Sequence, residues 1–249
     1  MIGLSAFFTK YFVWAFLWRL IKKIIFWFFA STIGIVLIYK WVPVPVTFLM
    51  LQRCTEQKAE GESMKLQKDW VPLDEISPYL QLAVVCAEDQ NYLKHNGFSY
   101  TAIEKAMAYN EKMEEKGSEK RRGASTISQQ TAKNVFLWPS RSWVRKGLEV
   151  YFTFLIETLW SKERIMEVYL NVIELGNGVY GAEAAAQNYL HKSAAKLSSS
   201  EAALVAVVLP SPRKFSIAHP SAYTKKRQSW CLQQMKYWGM TLEYDKNEE

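Results

Sequence analysis

Gly123-Ala-Ser-Thr-Ile-Ser-Gln-Gln-Thr-Ala-Lys-Asn134 is a polar stretch set among segments of helical spacing. Ser125, Gln129 and Lys133 recur every four residues, which predicts a single stripe on one helix. A hydroxyl, an amide and an ammonium on one stripe suit an anionic, hydroxyl-rich ligand. The same stripe also reads as a solvated helix face, and the stretch alone does not choose between the two. Its surroundings read as helix on both sides, over about 78–90, 101–114, 126–136, 143–159, 162–171 and 182–189. Another helix starts near Ser198 and stops at Pro210, and a last one lies in the tail from Tyr223 to Met240. Ser77-Pro78 has the form of a cap followed by proline at the first helical position. Thr101 with Glu104, and Ser198 with Glu201, have capping-box spacing. Residues 111–122 are dense in charge and lack periodicity, which reads as a mobile loop. Gly176-Asn-Gly-Val-Tyr-Gly181 reads as a turn-rich break, its glycines permitting tight turns or positive φ. Strand signals are few, so the fold class is mainly α.

The chain has 249 residues and a formal net charge of +7, from 31 basic and 24 acidic side chains, a length for one sizeable domain plus an appendage. That charge admits anionic lipid or phosphate as partners. Neither a zinc finger nor a basic DNA-reading helix is present, so nucleic acid is not among the partners expected. Cys54, Cys86 and Cys231 are odd in number and form no CxxC pair, which argues against a disulfide framework and a structural zinc site. Cys86 lies in an apolar run and reads as a small buried hydrophobe. A Cys54–Cys231 bridge is left open.

The N-terminal part divides into a juxtamembrane segment over 1–23, a transmembrane helix over 24–46 and a stem over 47–68. Ile24 to Tyr39 carries no charge. About 20 apolar residues cross the hydrocarbon core, a length that 24–44 supplies if Lys40 snorkels to the headgroups. Tyr39 and Trp41 fit an interfacial belt. Trp41-Val-Pro-Val-Pro-Val46 is a poor cleavage site, which disfavours a signal peptide. Lys10, Arg19, Lys22 and Lys23 precede the span, so the positive-inside rule puts the N-terminus in the cytoplasm and residues 69–249, the main domain, outside.

Glu88 follows the apolar run Leu82-Ala-Val-Val-Cys-Ala87. An acid at a C-terminal helix end opposes the helix dipole. A carboxylate with apolar neighbours on one side and a cleft on the other makes a general acid or base, although an ordinary charged helix end has the same sequence. His95, seven residues later, is by itself more often structural. Glu88-Asp-Gln-Asn-Tyr-Leu-Lys-His-Asn-Gly97 resembles the first motif of the peptidoglycan glycosyltransferases, glycosyltransferase family 51. Gly123–Asn134 resembles the second, Arg145-Lys-Gly-Leu-Glu149 the third and Lys162-Glu-Arg-Ile-Met-Glu-Val-Tyr-Leu-Asn171 the fourth. Leu197-Ser-Ser-Ser-Glu-Ala-Ala-Leu204 with Leu209-Pro210 is similar to the fifth. Order and spacing also agree, over about residues 80–215. Tyr92 stands where the family usually has phenylalanine, which adds a hydroxyl beside the cleft, and Ala124 where it usually has a second glycine.

The resemblance implies a lysozyme-like, two-lobed domain that polymerises lipid II into β-1,4 glycan with release of undecaprenyl pyrophosphate. Glu88 is the expected base and Glu149 the second important carboxylate, which positions cations or binds Mg²⁺ or Mn²⁺ beside the pyrophosphate. No closed metal site is visible in the sequence. Lys133, Arg141 and Arg145 are the expected pyrophosphate cations. Ser125, Gln129, Gln130 and Asn134 are expected to align the sugars, with Thr126, Asp89 and His95 as further substrate-binding residues. Glu167, Tyr169 and Asn171 read as structural. The implied partners are lipid II, the nascent glycan strand and membrane lipids, together with cell-wall synthesis and division proteins, at the cell inner membrane. A hydrolytic wall enzyme and a membrane-tethered scaffold are the competing readings. Ser193-Ala-Ala-Lys196 and Ser211-Pro-Arg-Lys214 fit a short acylation pattern, but without a KTG motif both are chance.

Overall fold

A computed structural model describes residues 2–140 and 142–244 and separates the chain into two units, 1–42 and 43–249. The first is the helix α1 (Ile2–Tyr39). Its stretch Phe16–Tyr39, with mean hydropathy 1.9, is long and apolar enough to cross a membrane. At about 1.5 Å per residue it measures roughly 36 Å. The helix stops at Tyr39, short of the 46 expected. Pro43 and Pro45 explain the extended chain beyond it, because a proline disfavours the α region for the residue before it.

The second unit is mainly α, as its sequence predicts. Residues 47–68 are not a bare stem. They form α2 (Phe48–Ala59), capped by the Thr47 side chain, and β1 (Gln67–Lys68). Gln57 is buried, donates to Asn177 Oδ1 at 3.1 Å and accepts from the Lys65 amide at 2.8 Å. Arg53 pairs with Glu174 at 3.3 Å. The segment therefore belongs to the domain. Asn177 and Glu174 lie about 120 residues from Gln57 and Arg53, where no local pattern reveals them.

α3 (Pro78–Glu88), α4 (Tyr100–Glu115), α5 (Ile127–Phe136), α6 (Trp143–Leu159) and α7 (Lys162–Val172) follow. β2 (Glu174–Gly176) and β3 (Val179–Tyr180) complete a small sheet of order β1-β3-β2, with β1 parallel and β2 antiparallel to β3. α8 (Ala182–Leu190), α9 (Ser199–Val208) and α10 (Ala222–Tyr237) close the chain. α9 is buried at every position from Ala202 to Val208, as an all-apolar helix must be. α3 and α10 pack on it, while α5 packs on α6 and α7. Cys54, Cys86 and Cys231 are all free, so the Cys54–Cys231 bridge is not made. Burial pushes the Cys86 and Cys231 thiols up to about 12, which keeps both protonated.

Several helix starts differ from expectation. Ser77 does not cap α3; its hydroxyl donates to the Leu197 carbonyl at 2.8 Å. α4 is capped by Ser99, not Thr101, and runs to Glu115, into the segment expected to be loop. Beyond it, the Arg122 amide donates to Asn110 Oδ1 at 2.7 Å. The Ser198–Glu201 capping box forms as expected.

Candidate active site

α3 ends at Glu88 because Asp89, at φ −154° and ψ 76°, turns the chain out of the helix. The buried Asp89 carboxylate accepts from His95 Nε2 at 2.9 Å and from the Ile127 amide at 3.1 Å. It thereby satisfies an orphan amide at the start of α5 and pins that helix beside the end of α3. His95 Nδ1 accepts from the Gly97 amide at 3.1 Å, so Nε2 carries the ring proton. The Thr126 hydroxyl donates to the Gly97 carbonyl at 2.7 Å and accepts from the Gln129 amide at 3.1 Å. Asp89, His95 and Thr126, expected to hold substrate, spend these polar groups on one another and on backbone.

Gly97 is the joint of this network. Its φ is +86°, and a Cβ would stand 2.7 Å from Thr153 Cγ2. Gly97→Ala is expected to destabilise the fold by about 1–3 kcal/mol, read as a lower denaturation midpoint with a matching loss of activity.

Tyr92 is fully buried and donates to the Lys162 carbonyl at 2.6 Å. Its extra hydroxyl thus ties the first motif to α7 and does not line a cleft. The Lys162 ammonium donates to the His95 carbonyl at 2.6 Å and to both Glu157 oxygens, at 2.9 and 2.8 Å. Ser128 also donates to Glu157.

α5 begins at Ile127, so Ser125 precedes it. Thr126 and Gln129 form a capping box, in which the Gln129 amide oxygen accepts from the Thr126 amide at 3.1 Å. Gln129 is therefore turned inward, and Ser125 lies outside the helix, exposed. The 125/129/133 stripe does not exist. Gln130, Lys133 and Asn134 share a face instead, spaced three and four apart. Gln130 Nε2 donates to Glu88 Oε2 at 2.8 Å, and Tyr169 donates to Gln130 Oε1 at 3.4 Å. Tyr169 thus supports the site through Gln130. Asn171, fully buried, clamps the Val71 backbone at 2.9 and 2.8 Å, a structural role as expected.

Glu88 keeps partial access to solvent, but its carboxyl is crowded, and burial raises its pKa. The Gln130 bond and the charges of Lys133 and Arg227 oppose that rise, and Asp89 adds to it. Burial lowers the Lys133 pKa. Glu149 and Glu88 attract the Lys133 charge, and Arg145 and Lys146 repel it. Lys133 is thus coupled to two carboxylates. The Glu149 side chain is buried and accepts from the Lys146 ammonium at 2.5 Å, with Arg145 at 3.8 Å. Arg145 Nε is buried without a hydrogen-bond partner among the described residues. Arg141 lies outside the described residues.

Two cations were missed by the sequence reading. Lys146 is three residues before Glu149 on α6, a spacing that could have found it. Arg227 sits in the basic tail, where nothing local links it to Glu88.

Beside Glu88 lies a cavity of about 350 Å³. Ser125, Asn91 and the start of α4 border it, with Trp230 and Gln234 of α10 opposite. A recessed carboxylate of raised pKa, a lysine coupled to a second acid and an adjoining polar cavity define an enzyme cleft.

Residues 56–236 match the family model described as Transglycosylase. A biosynthetic peptidoglycan transglycosylase of Bdellovibrio bacteriovorus is 56% identical over 215 residues, 86% of this chain and 84% of the relative. A protein of the same name from Bacteroides thetaiotaomicron is 55% identical over 217 residues, 87% and 86% of the two chains. Another, from Pseudomonas syringae pv. syringae, is 50% identical over 221 residues, 89% and 92%. The chain belongs to the transglycosylase family.

Proposed function

We propose that this chain is a membrane-anchored peptidoglycan glycosyltransferase that polymerises lipid II. The observation that carries this reading is the Glu88 carboxylate, held by Gln130 Nε2 at 2.8 Å in the wall of a polar cavity, in a chain whose α6 gathers Arg145 and Lys146 about the buried Glu149. In the proposed step the 4-hydroxyl of an incoming GlcNAc attacks the anomeric carbon of the growing chain's terminal MurNAc. Its proton passes to Glu88, undecaprenyl pyrophosphate leaves, and the link inverts from α to β-1,4. A carboxylate raised by burial is a stronger base at neutral pH than an exposed one, provided it is still ionised. Gln130 and Lys133 favour that ionised form. Lys133, Arg145 and Lys146 stabilise the charge that develops on the diphosphate. Arg145 Nε, buried without a partner among the described residues, is a donor free to meet a phosphoryl oxygen.

Among the described residues no group of three or more His, Cys, Asp or Glu side chains gathers, and Lys146 already occupies Glu149. The charge of the diphosphate is therefore assigned to the cationic side chains.

The span Phe16–Tyr39, long and apolar enough to cross a membrane, supports an anchor that would keep the domain near lipid-linked substrates. The basic residues before it orient the N-terminus to the cytoplasm and the domain to the outer face of the inner membrane. A glycan hydrolase would also use a buried glutamate, but the cation group around Glu149 has no role in hydrolysis. Incubating the full chain with lipid II alone is expected to yield long glycan that a muramidase digests. Cleavage of preformed wall with no polymer made would overturn the reading.

A further inference from the structure

Part of α10, the tail helix, faces the cleft. Cys231 and Met235 are fully buried, and Cys231 Sγ lies 3.6 Å from the Ala83 carbonyl of α3. This seam fixes the rotation of the helix. Residues 227, 230 and 234 then form a contiguous flank beside the seam. The flank runs past the end of α3. Gln90, two residues beyond Glu88, donates to Gln234 Oε1 at 3.4 Å. Trp230 and Gln234 line the 350 Å³ cavity together with Glu88. The Arg227 guanidinium stacks 4.3 Å over the indole of Trp230 and holds it.

We propose that Trp230 and Gln234 touch substrate directly, as the second wall of a saccharide subsite beside Glu88 that takes one N-acetylhexosamine unit of the glycan. The lining chemistry supports this. Asn91, Thr101, Ser125 and Gln234 offer amides and hydroxyls to hydroxyl and acetamido groups. Trp230 offers an aromatic surface to the C–H face of a pyranose. Lys133, Arg145, Lys146 and Glu149 do not line this cavity, so the diphosphate and the sugar take different sides of Glu88. Two exposed cations, Lys105 and Arg122, stand at its border. Arg227 is a positioning residue here, fixing the indole from outside the subsite.

This inference rests on the polymerase reading for its substrate, and the experiment separates the two. Full-length chain in detergent is titrated with N-acetylchitotetraose and followed by saturation-transfer NMR at the acetyl methyls, and the kinetics of polymerisation from lipid II are measured alongside. Trp230→Ala is expected to abolish the transfer signal and lower kcat/KM about tenfold, mostly through KM. Trp230→Phe is expected to restore most of both, which a merely structural role for the indole would not require. Gln234→Ala, which leaves the buried seam intact, is expected to raise KM and weaken transfer, and it decides the matter if Trp230→Ala fails to fold. Parental transfer and kinetics in Trp230→Ala, or in Gln234→Ala where it must stand in, would overturn the subsite, as would an absence of transfer to the parent. Trp230-dependent transfer in a chain that makes no polymer would sink the polymerase reading and leave the subsite standing.

Discussion

Glu88→Gln is expected to lower the turnover of lipid II by roughly 10²–10⁴-fold, the usual contribution of a positioned general base, without loosening the fold. The amide keeps an oxygen that can accept from Gln130 Nε2, now 2.8 Å from Glu88 Oε2, so the Tyr169–Gln130 support survives. It has no basic lone pair to take the sugar hydroxyl's proton. The stability prediction has a definite sign. Burial raises the folded-state pKa of Glu88 above its ordinary 4.5, so the native state holds the proton more tightly than the unfolded chain does. Stability from this group is greatest below the ordinary value and is lost as pH rises through the folded one. At neutral pH the ionised carboxylate is a cost that glutamine does not carry. The variant should therefore melt no lower than the parent at neutral pH, and any advantage should vanish in acid. Thermal scans across pH beside single-turnover assays check both halves. Near-parental turnover by Glu88→Gln would remove the residue from the chemistry.

Such a combination, an inactive protein of undiminished stability, marks a site built against local preference. That conflict was legible in the sequence, since an acid at the end of an apolar helix is locally unfavourable and stood out before any geometry was known. The helices over 143–159 and 162–171 were equally legible, and in the structure Ser142 and Ser161 cap them. The 125/129/133 stripe failed because regular spacing counts only inside the helix, and the Thr126–Gln129 capping box leaves Ser125 before its start. His95 by itself read as structural and only by resemblance as substrate-binding; in the structure both ring nitrogens are occupied internally. The helix inside the expected stem, and Arg227 beside Glu88, were illegible for one shared reason. Their partners are more than 100 residues away, and only the packing of α10 on α3 and of α2 against the β-hairpin brings them together.

Lys133→Ala should produce the second large effect, and its signature is a displaced pH profile as well as a lost rate. In the parent, Lys133 attracts both Glu88 and Glu149 and is repelled by Arg145 and Lys146, while burial holds its own pKa below the ordinary 10.5. Removing it has two consequences. The diphosphate loses a charge-assisted contact in a partly desolvated site, which we expect to cost about 10²–10³-fold in kcat/KM. Glu88 also loses a charge that favours its ionised form, so its pKa rises further. The base must be ionised to act, so the acid limb of the kcat/KM profile should move to higher pH. The alkaline limb, where the parent loses its lysine charge, should flatten. Arginine is expected to restore the charge but not the rate, because a planar guanidinium presents its donors differently from a compact ammonium. Glu149→Gln makes the distinguishing control. It leaves Lys133 close to Arg145 and Lys146 with less compensation, which pushes the lysine pKa further down and draws the alkaline limb inward while the acid limb stays. A Lys133→Ala profile superimposable on the parent's in both limbs would mean that the ammonium serves neither carboxylate.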